Sequence, residues 1–213
     1  MKKNHQIKIS WQTLWRLKLF IFFILEVRIF SEQNISYPKI KIAPGFEVRL
    51  VASDPIVKYP MMACLDDYGR LYVAESDGRN LTTRVAIERE LPRFVRQLVD
   101  VDGDGVFDKS TIFADRMTMP EGGVWYDGAL YIIAAPYLWR LEDLDGDGVA
   151  DKRDKILGTM EFDGRANQHG PYLGPNGRLY FSGGHFGYDL IGIDGTRSGF
   201  SRAAGIFSCW PDG

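Results

Sequence analysis

Residues 62–76 read MACLDDYGRLYVAES, and the same pattern returns as GGVWYDGALYIIAAP at residues 122–136 and as GPYLGPNGRLYFSGG at residues 170–184. Each copy consists of a short apolar strand, a turn rich in Gly and Asp or Asn, and a second apolar strand led by Leu-Tyr. Gly, Asn and Asp are the residues that tight hairpin turns require. Three copies of one hairpin predict a chain built from repeated β-units.

A second hairpin follows the first in each unit. FVRQLVDVDGDG at residues 94–105 and YLWRLEDLDGDG at residues 137–148 alternate apolar and polar residues before an acidic turn. About four strands per repeat of roughly 50 residues is typical of a β-propeller blade. The sequence therefore predicts an all-β fold with about three four-stranded blades. A β-sandwich with coincidentally similar hairpins is the alternative.

Two segments depart from the repeat. Residues 76–93 are polar and charged, and we expect them to form a surface excursion with one helical turn. The third unit reaches AGIFSCWPDG at residues 204–213, where the sequence ends on the expected turn of its second hairpin. We assign residues 38–213 to the N-terminal part of a propeller and expect a fragment of a longer protein that is inactive by itself.

The acidic turns, DVDGDGVFD from Asp100 and DLDGDGVAD from Asp143, repeat the spacing of a calcium-binding loop. Carboxylates at positions 1, 3, 5 and 9 and the carbonyl at position 7 supply oxygen ligands, which calcium prefers. Two carboxylates about 4 Å apart repel by roughly 4 kcal/mol, so converging side chains favour a cation. The predicted ligands are Asp100, Asp102, Asp104, Val106 and Asp108 in the first loop and Asp143, Asp145, Asp147, Val149 and Asp151 in the second.

An EF-hand does not fit these loops, because it needs flanking helices and a Glu at position 12, where Thr111 and Asp154 stand. The loops resemble the calcium-binding hairpins of integrin-type propellers, which implies structural calcium. A glycine-rich turn made soluble by aspartates, without an ion, is the alternative.

In the N-terminal residues 1–31, five basic residues precede the apolar run LFIFFIL at residues 19–25: Lys2, Lys3, Lys8, Arg16 and Lys18. A basic flank and a short apolar stretch indicate a signal peptide, because a membrane-spanning helix needs about 20 apolar residues. We expect export to the periplasm or another extracytoplasmic space. An uncleaved N-terminal anchor, which would give membrane association, or a wrongly assigned start codon is the alternative.

Charge and cysteine content exclude other classes of protein. The net charge is −2 and no basic block lies beyond the N-terminus, so a nucleic-acid partner is not expected. The two cysteines, Cys64 and Cys209, cannot form a disulfide scaffold. We expect them to be unpaired, since Cys64 lies in an apolar run where a buried thiol is common.

Two histidines outside the N-terminal region flank the third unit. His169 directly precedes its first strand, and His185 follows its Leu-Tyr strand. In a propeller the innermost strand ends at the mouth of the central channel, so these imidazoles and Asp189 are candidates for a general base or a metal site. A structural role in hydrogen bonding is the alternative.

Several motifs, among them PGFEVRLVASDP, GRLYVAE, the two acidic loops, HGPYLGPNGRLYF and IFSCWPDG, together resemble the N-terminal propeller of membrane-bound dehydrogenases of planctomycete and verrucomicrobial bacteria. That propeller is similar to the soluble quinoprotein glucose/sorbosone dehydrogenases. The resemblance covers roughly residues 38–213. It implies a six-bladed propeller that holds pyrroloquinoline quinone (PQQ), and in the family a c-type haem domain often follows.

The same resemblance implies that His169, ahead of GPNGRLY, is the base that takes a proton from a sugar hydroxyl. The sequence departs from the dehydrogenases at Gly184-His185, where they carry Gly-Asp. From the resemblance as a whole we expect an exported dehydrogenase that oxidises a sugar or polyol with PQQ. His185 is a candidate cofactor contact. A calcium-stabilised propeller that binds carbohydrate or a protein partner without turnover is the second hypothesis. Hydrolysis by a metal held between His169 and His185 is the third.

Overall fold

A computed structural model of the chain describes residues 41–164, 168–184, 188–201 and 204–213. The chain divides into two compact units, Met1–Val48 and Arg49–Gly213. In the first unit the described residues contain a turn that is closed by a hydrogen bond from the Phe46 amide to the Ala43 carbonyl. The predicted signal peptide, residues 1–31, and His185 lie outside the described residues.

The first sheet of the larger unit is a four-stranded antiparallel meander with its strands in sequence order. Its strands are β1 (Pro60–Leu65), β2 (Leu71–Ser76), β3 (Arg93–Val99) and β4 (Lys109–Met117). The predicted Leu-Tyr pair opens β2, and the first acidic loop joins β3 to β4. Strands therefore flank this loop on both sides, as the sequence predicted.

The second sheet has six strands, two more than the repeat predicted. Its first four form a meander like that of the first sheet: β5 (Pro120–Tyr126), β6 (Ala129–Ala134), β7 (Tyr137–Glu142) and β8 (Lys152–Met160). The second acidic loop joins β7 to β8. A hairpin from later in the chain then pairs with β8 and extends this sheet.

The third sheet contains β9 (His169–Leu173), β10 (Leu179–Gly183) and β13 (Gly205–Cys209), in the order β13-β10-β9. The hairpin of β11 (Tyr188–Gly192) and β12 (Arg197–Ser201) lies between β10 and β13 in the chain but belongs to the second sheet. The third unit therefore contributes strands to two sheets, and β13 takes the place that was predicted for its second hairpin.

The polar insertion between β2 and β3 contains a helix, α1 (Arg84–Glu90). The Thr83 hydroxyl accepts a hydrogen bond from the Ala86 amide and caps its N-terminus. Ile87 is fully buried in the core, whereas Val85 is 74% exposed. The expected surface excursion is thus only partly correct, because one face of the helix packs into the protein.

The three sheets meet along their first strands, because β5 contacts β1 on one side and β9 on the other. Gly122 makes the second approach possible: a Cβ atom there would lie 2.1 Å from the carbonyl oxygen of Gly170. One apolar core lies between the first and second sheets, where Tyr72 stacks on Trp125 at 5.2 Å. A second core includes side chains of the second and third sheets and Ile87.

The antiparallel topology places the strand ends and turns at two opposite ends of the unit. We call the end where β1, β5 and β9 begin the His169 end. The opposite end, where the two acidic loops turn, is the loop end. The all-β class is confirmed, with three antiparallel sheets.

Candidate functional sites

The acidic loops bring three carboxylates together in each copy. Ligand atoms of Asp100, Asp102 and Asp108 lie within 4.8 Å of one another, and those of Asp143, Asp145 and Asp151 do the same. These are positions 1, 3 and 9 of the predicted loop. Asp104 and Asp147, at position 5, are not part of either group. The ligand roles of the Val106 and Val149 carbonyls stay predictions.

Both loops are held by the same set of backbone hydrogen bonds. In the first loop the carboxylate of Asp100 accepts from the amides of Gly103 and Gly105, at 2.8 and 2.9 Å. The Asp108 carboxylate reaches back to the amide of Val101 at 2.9 Å. The second loop repeats this pattern from Asp143 and Asp151. The carboxylates are thus oriented by the backbone, while each keeps lone pairs for a further partner.

Glycine is required inside these loops because the backbone turns through positive φ. Gly103 and Gly105 have φ of 78° and 87°, and Gly146 and Gly148 have φ of 83° and 89°. A Cβ on Gly148 would also lie 2.9 Å from the Gln97 side chain of the first sheet. The Ala150 amide donates to the Phe113 carbonyl at 2.8 Å. The second loop therefore docks on the first sheet.

His169 is the exposed first residue of β9, at the His169 end. It pairs in register with Ser182 of β10, and an extra residue in β9 bulges the ladder beside it. Bulges also occur at the start of the other two first strands, between Pro60 and Met62 and between Pro120 and Gly122. Such bulges redirect side chains at strand ends and are common near binding sites.

Glu121 is a second candidate at this end that the sequence reasoning missed. Its carboxylate accepts a hydrogen bond at 3.3 Å from the amide of Gln168, the residue before His169. In the three aligned repeats, Glu121 occupies the position equivalent to His169, and Met61 occupies it in the first repeat. Extending the alignment of the three repeats by one residue towards the N-terminus would have identified Glu121.

Buried polar groups surround this pair. Gln168 is 1% exposed, and its side-chain oxygen has no hydrogen-bond partner among the described residues. Arg93 is also buried, and its Nη1 donates to the Thr118 carbonyl at 2.9 Å. Burial lowers the pKa of the Arg93 guanidinium, opposed by the nearby carboxylates of Glu121 and Asp77. The His169 end thus combines an imidazole, a carboxylate and a buried amide.

Residues 32–209 match a family described as a domain of unknown function, DUF7133. The chain belongs to the DUF7133 family. A comparison with curated proteins found no match.

The DUF7133 cysteines are free, as predicted. Burial raises the pKa of Cys64 to about 12, with a smaller contribution from Asp66. Burial likewise raises the pKa of Cys209 to about 11. Because the thiolate is the nucleophilic form, neither cysteine is suited to covalent catalysis near neutral pH.

No helix among the described DUF7133 residues has the length and apolar character needed to cross a membrane. Asp189, the remaining candidate, lies on β11 and pairs with Arg197 at 2.5 Å. Its carboxylate therefore already has a cationic partner within the β11–β12 hairpin.

Proposed function

We propose that this DUF7133 chain forms part of a β-propeller in which the three sheets are successive blades. The support is the contact of β5 with β1 and β9, since the innermost strands of neighbouring blades lie side by side around a propeller axis. The number of six blades follows from the resemblance to quinoprotein dehydrogenases. On this reading β11 and β12 form a hairpin of the third blade that extends the outer edge of the second.

The acidic loops of this propeller bind calcium. Three backbone-oriented carboxylates within 4.8 Å fit the all-oxygen ligand set of this ion, and water molecules complete the coordination. The ion supplies the positive charge that offsets the repulsion between the carboxylates. The sites are structural, because they lie at the loop end, away from His169.

The His169 end binds a sugar or polyol, and His169 accepts the proton of a substrate hydroxyl while the hydride of the same carbon passes to an external two-electron acceptor, which the added quinone or redox dye supplies in the assay below. One observation carries this proposal: an exposed imidazole and a carboxylate occupy equivalent positions on adjacent first strands. A neutral imidazole is the side chain best suited to accept a proton near neutral pH. Glu121 offers an acceptor for a neighbouring hydroxyl of the same ligand.

The first strands β1, β5 and β9 do not by themselves fit PQQ. This quinone carries three carboxylates and therefore needs cationic side chains, but the only Asp, Glu, Lys or Arg in β1, β5 and β9 is Glu121. An anion at this position repels a tricarboxylate. These strands therefore supply a base without the positive charges that hold the quinone.

The polar groups at the His169 end also favour a second candidate function, a propeller that binds carbohydrate at this end without turnover. Carboxylate, amide and imidazole groups are suited to hydrogen bonding with sugar hydroxyls. Export, proposed from residues 1–31, places either function outside the cytoplasm, where extracellular glycans are available.

A conservative variant separates the two candidates. His169→Gln keeps a side chain that hydrogen-bonds but cannot act as a base at neutral pH. The longer protein of which this chain is expected to be a part is assayed with calcium, added PQQ, a panel of sugars and a redox dye, and sugar binding is followed in parallel by calorimetry. Dehydrogenase activity predicts dye reduction that falls at least 100-fold in His169→Gln with binding largely retained.

The matched control is Asp67→Asn, an exposed side chain of the β1–β2 turn at the loop end, which should change neither signal. Sugar binding without dye reduction, weakened by Glu121→Gln, supports the non-catalytic candidate. Dye reduction that is equal in the wild type and His169→Gln contradicts the assignment of the base.

A further inference from the structure

A cleft of about 350 Å³ lies between the edge strand β4, the helix α1 and strand β7 of the second sheet. Its volume falls in the range of about 300–1,000 Å³ that is typical of small-molecule sites. The residues that define its chemistry are Arg84, Glu88, Arg116, Tyr137, Trp139 and Arg153. Three of these six residues are arginines and only one is acidic.

Arg116 reaches this cleft through a local distortion of β4. Val95 pairs with Ala114 and Arg93 pairs with Met117, so β4 has one more residue than β3 over this interval. This β-bulge contains Arg116, whose φ of 54° lies in the left-handed region that is unfavourable for a residue with a side chain. Strained residues at a bulge often mark a site where a side chain is aimed at a ligand.

The arginines of the cleft differ in their partners. Arg84 pairs with Glu88 at 2.8 Å and with Glu161 at 2.7 Å. Arg153 pairs with Asp115 at 3.0 Å. Within the described part of the chain, Arg116 has neither an ion pair nor a side-chain hydrogen bond. Its guanidinium is therefore available for an anion.

The opposite wall of the cleft is aromatic. Tyr137 and Trp139 are half-buried and pack edge to face, with ring centroids 5.6 Å apart. The ammonium group of Lys155 lies 4.1 Å from the Tyr137 centroid and 5.5 Å from that of Trp139. Lys155 does not line the cleft, so a ligand facing this wall meets apolar ring surface.

We propose that this cleft binds the carboxylate of a sugar acid, such as a uronic acid residue. The carboxylate pairs with the planar fork of Arg116, which suits bidentate contacts. The C–H face of the pyranose ring packs on the wall of Tyr137 and Trp139. Inorganic phosphate lacks the apolar face and a neutral sugar lacks the charge, so each satisfies only half of the site.

Calorimetry with sodium galacturonate, the methyl glycoside of galactose, acetate and inorganic phosphate tests this proposal on the whole chain. We expect galacturonate to bind at least tenfold more tightly than each of the other three probes. Benzoate, a flat carboxylate without hydroxyls, is the additional probe for the sugar itself. Benzoate or phosphate that binds as tightly as galacturonate overturns the sugar-acid assignment.

Arg116→Gly is the decisive variant, because glycine adopts positive φ without strain and the protein should fold at least as stably as the wild type. We expect it to weaken galacturonate binding at least tenfold, and Arg116→Lys to restore part of the loss. Arg89→Gln is the matched control, since Arg89 lies on α1, is 73% exposed and does not line the cleft. Unchanged binding in Arg116→Gly, with its melting temperature maintained, overturns the proposal.

Discussion

Gly122 lies where the second and third sheets approach each other closely. A methyl group there would meet the backbone of Gly170 at 2.1 Å, and backbone cannot rotate away as a long side chain can. We expect Gly122→Ala to reduce the free energy of unfolding by about 3 kcal/mol, at the upper end of the range for overpacked cores. Urea denaturation measures this loss.

The control for this variant is Gly128→Ala, in the turn between β5 and β6. A Cβ on Gly128 meets nothing within 4 Å, so its cost comes only from the φ of 76° and is about 1 kcal/mol. Equal losses in the two variants would show that the first strands do not need the close contact.

The raised pKa of the Cys64 thiol should make the protein less stable at alkaline pH. Burial raises its pKa from 9.0 to about 12, so the unfolded chain loses this proton at lower pH than the folded protein. The contribution of Cys64 to stability is complete below pH 9 and decreases as the pH rises towards 12. Urea midpoints from pH 8 to 11 should decline less steeply in Cys64→Ala than in the wild type. Parallel curves for the two proteins would contradict the burial of this thiol.

At the scale of elements, the helix α1 shows that a polar insertion between two strands can contribute a side chain to the core. Ile87 is fully buried among side chains of the second and third sheets, so Ile87→Ala removes packed core volume. We expect a loss of about 2–4 kcal/mol in the free energy of unfolding. Val85→Ala, on the exposed face of the same helix, should change it by less than about 0.5 kcal/mol. Similar effects of the two substitutions would exclude the docked helix.

The acidic loops predict that calcium stabilises the protein. Calcium at 100 times its dissociation constant adds about 2.7 kcal/mol per independent site, which is roughly 5–10 °C in melting temperature for a unit of this size. EDTA should reverse the shift, and Asp102→Asn with Asp145→Asn should abolish it. Asp67→Asn, an acidic residue outside the loops, should leave it intact. A shift that persists in the double variant would assign calcium binding to another site.

The sequence predicted the elements that local chemistry determines. Alternation and Gly-Asp or Asn-Gly turns identified strands β1–β10 and β13 and the acidic loops, because residues close in the chain decide these features. It did not predict that β11 and β12 pair with β8, since several edges were available to a polar hairpin. It predicted a helical turn in the insertion but neither its docking through Ile87 nor the bulge at Arg116, which depend on contacts between distant segments.

At the scale of the whole unit, the β11–β12 hairpin lies between two strands of the third sheet in the chain but pairs with the second sheet. Tyr188 pairs with Met160 and Gly192 pairs with Leu157 across the β8–β11 ladder. Leu190 of the same hairpin is buried in the core that includes side chains of both sheets. The hairpin is therefore hydrogen-bonded to the second sheet while it packs in the core shared with the third, and the two sheets should unfold together.

The loop end and the cleft at Arg116 should act independently. Asp108 directly precedes β4 and Arg116 lies near its end, so an extended strand separates them by roughly 25 Å. The Debye length at physiological ionic strength is about 8 Å, so electrostatic effects of bound calcium are largely screened over this separation. We therefore expect calcium saturation to change the galacturonate affinity of the folded protein by less than about twofold.

Calorimetric titration with galacturonate, with and without calcium and well below the melting temperature, measures this coupling. The Asp102→Asn, Asp145→Asn double variant is the control, because calcium also associates with galacturonate in solution and that effect persists when the loops cannot bind the ion. A calcium effect above fivefold in the wild type that vanishes in the double variant would mean that the ends are coupled. By reciprocity galacturonate would then shift the calcium affinity by the same factor. The strands would in that case transmit a conformational change, and calcium would regulate the cleft in addition to stabilising the loops.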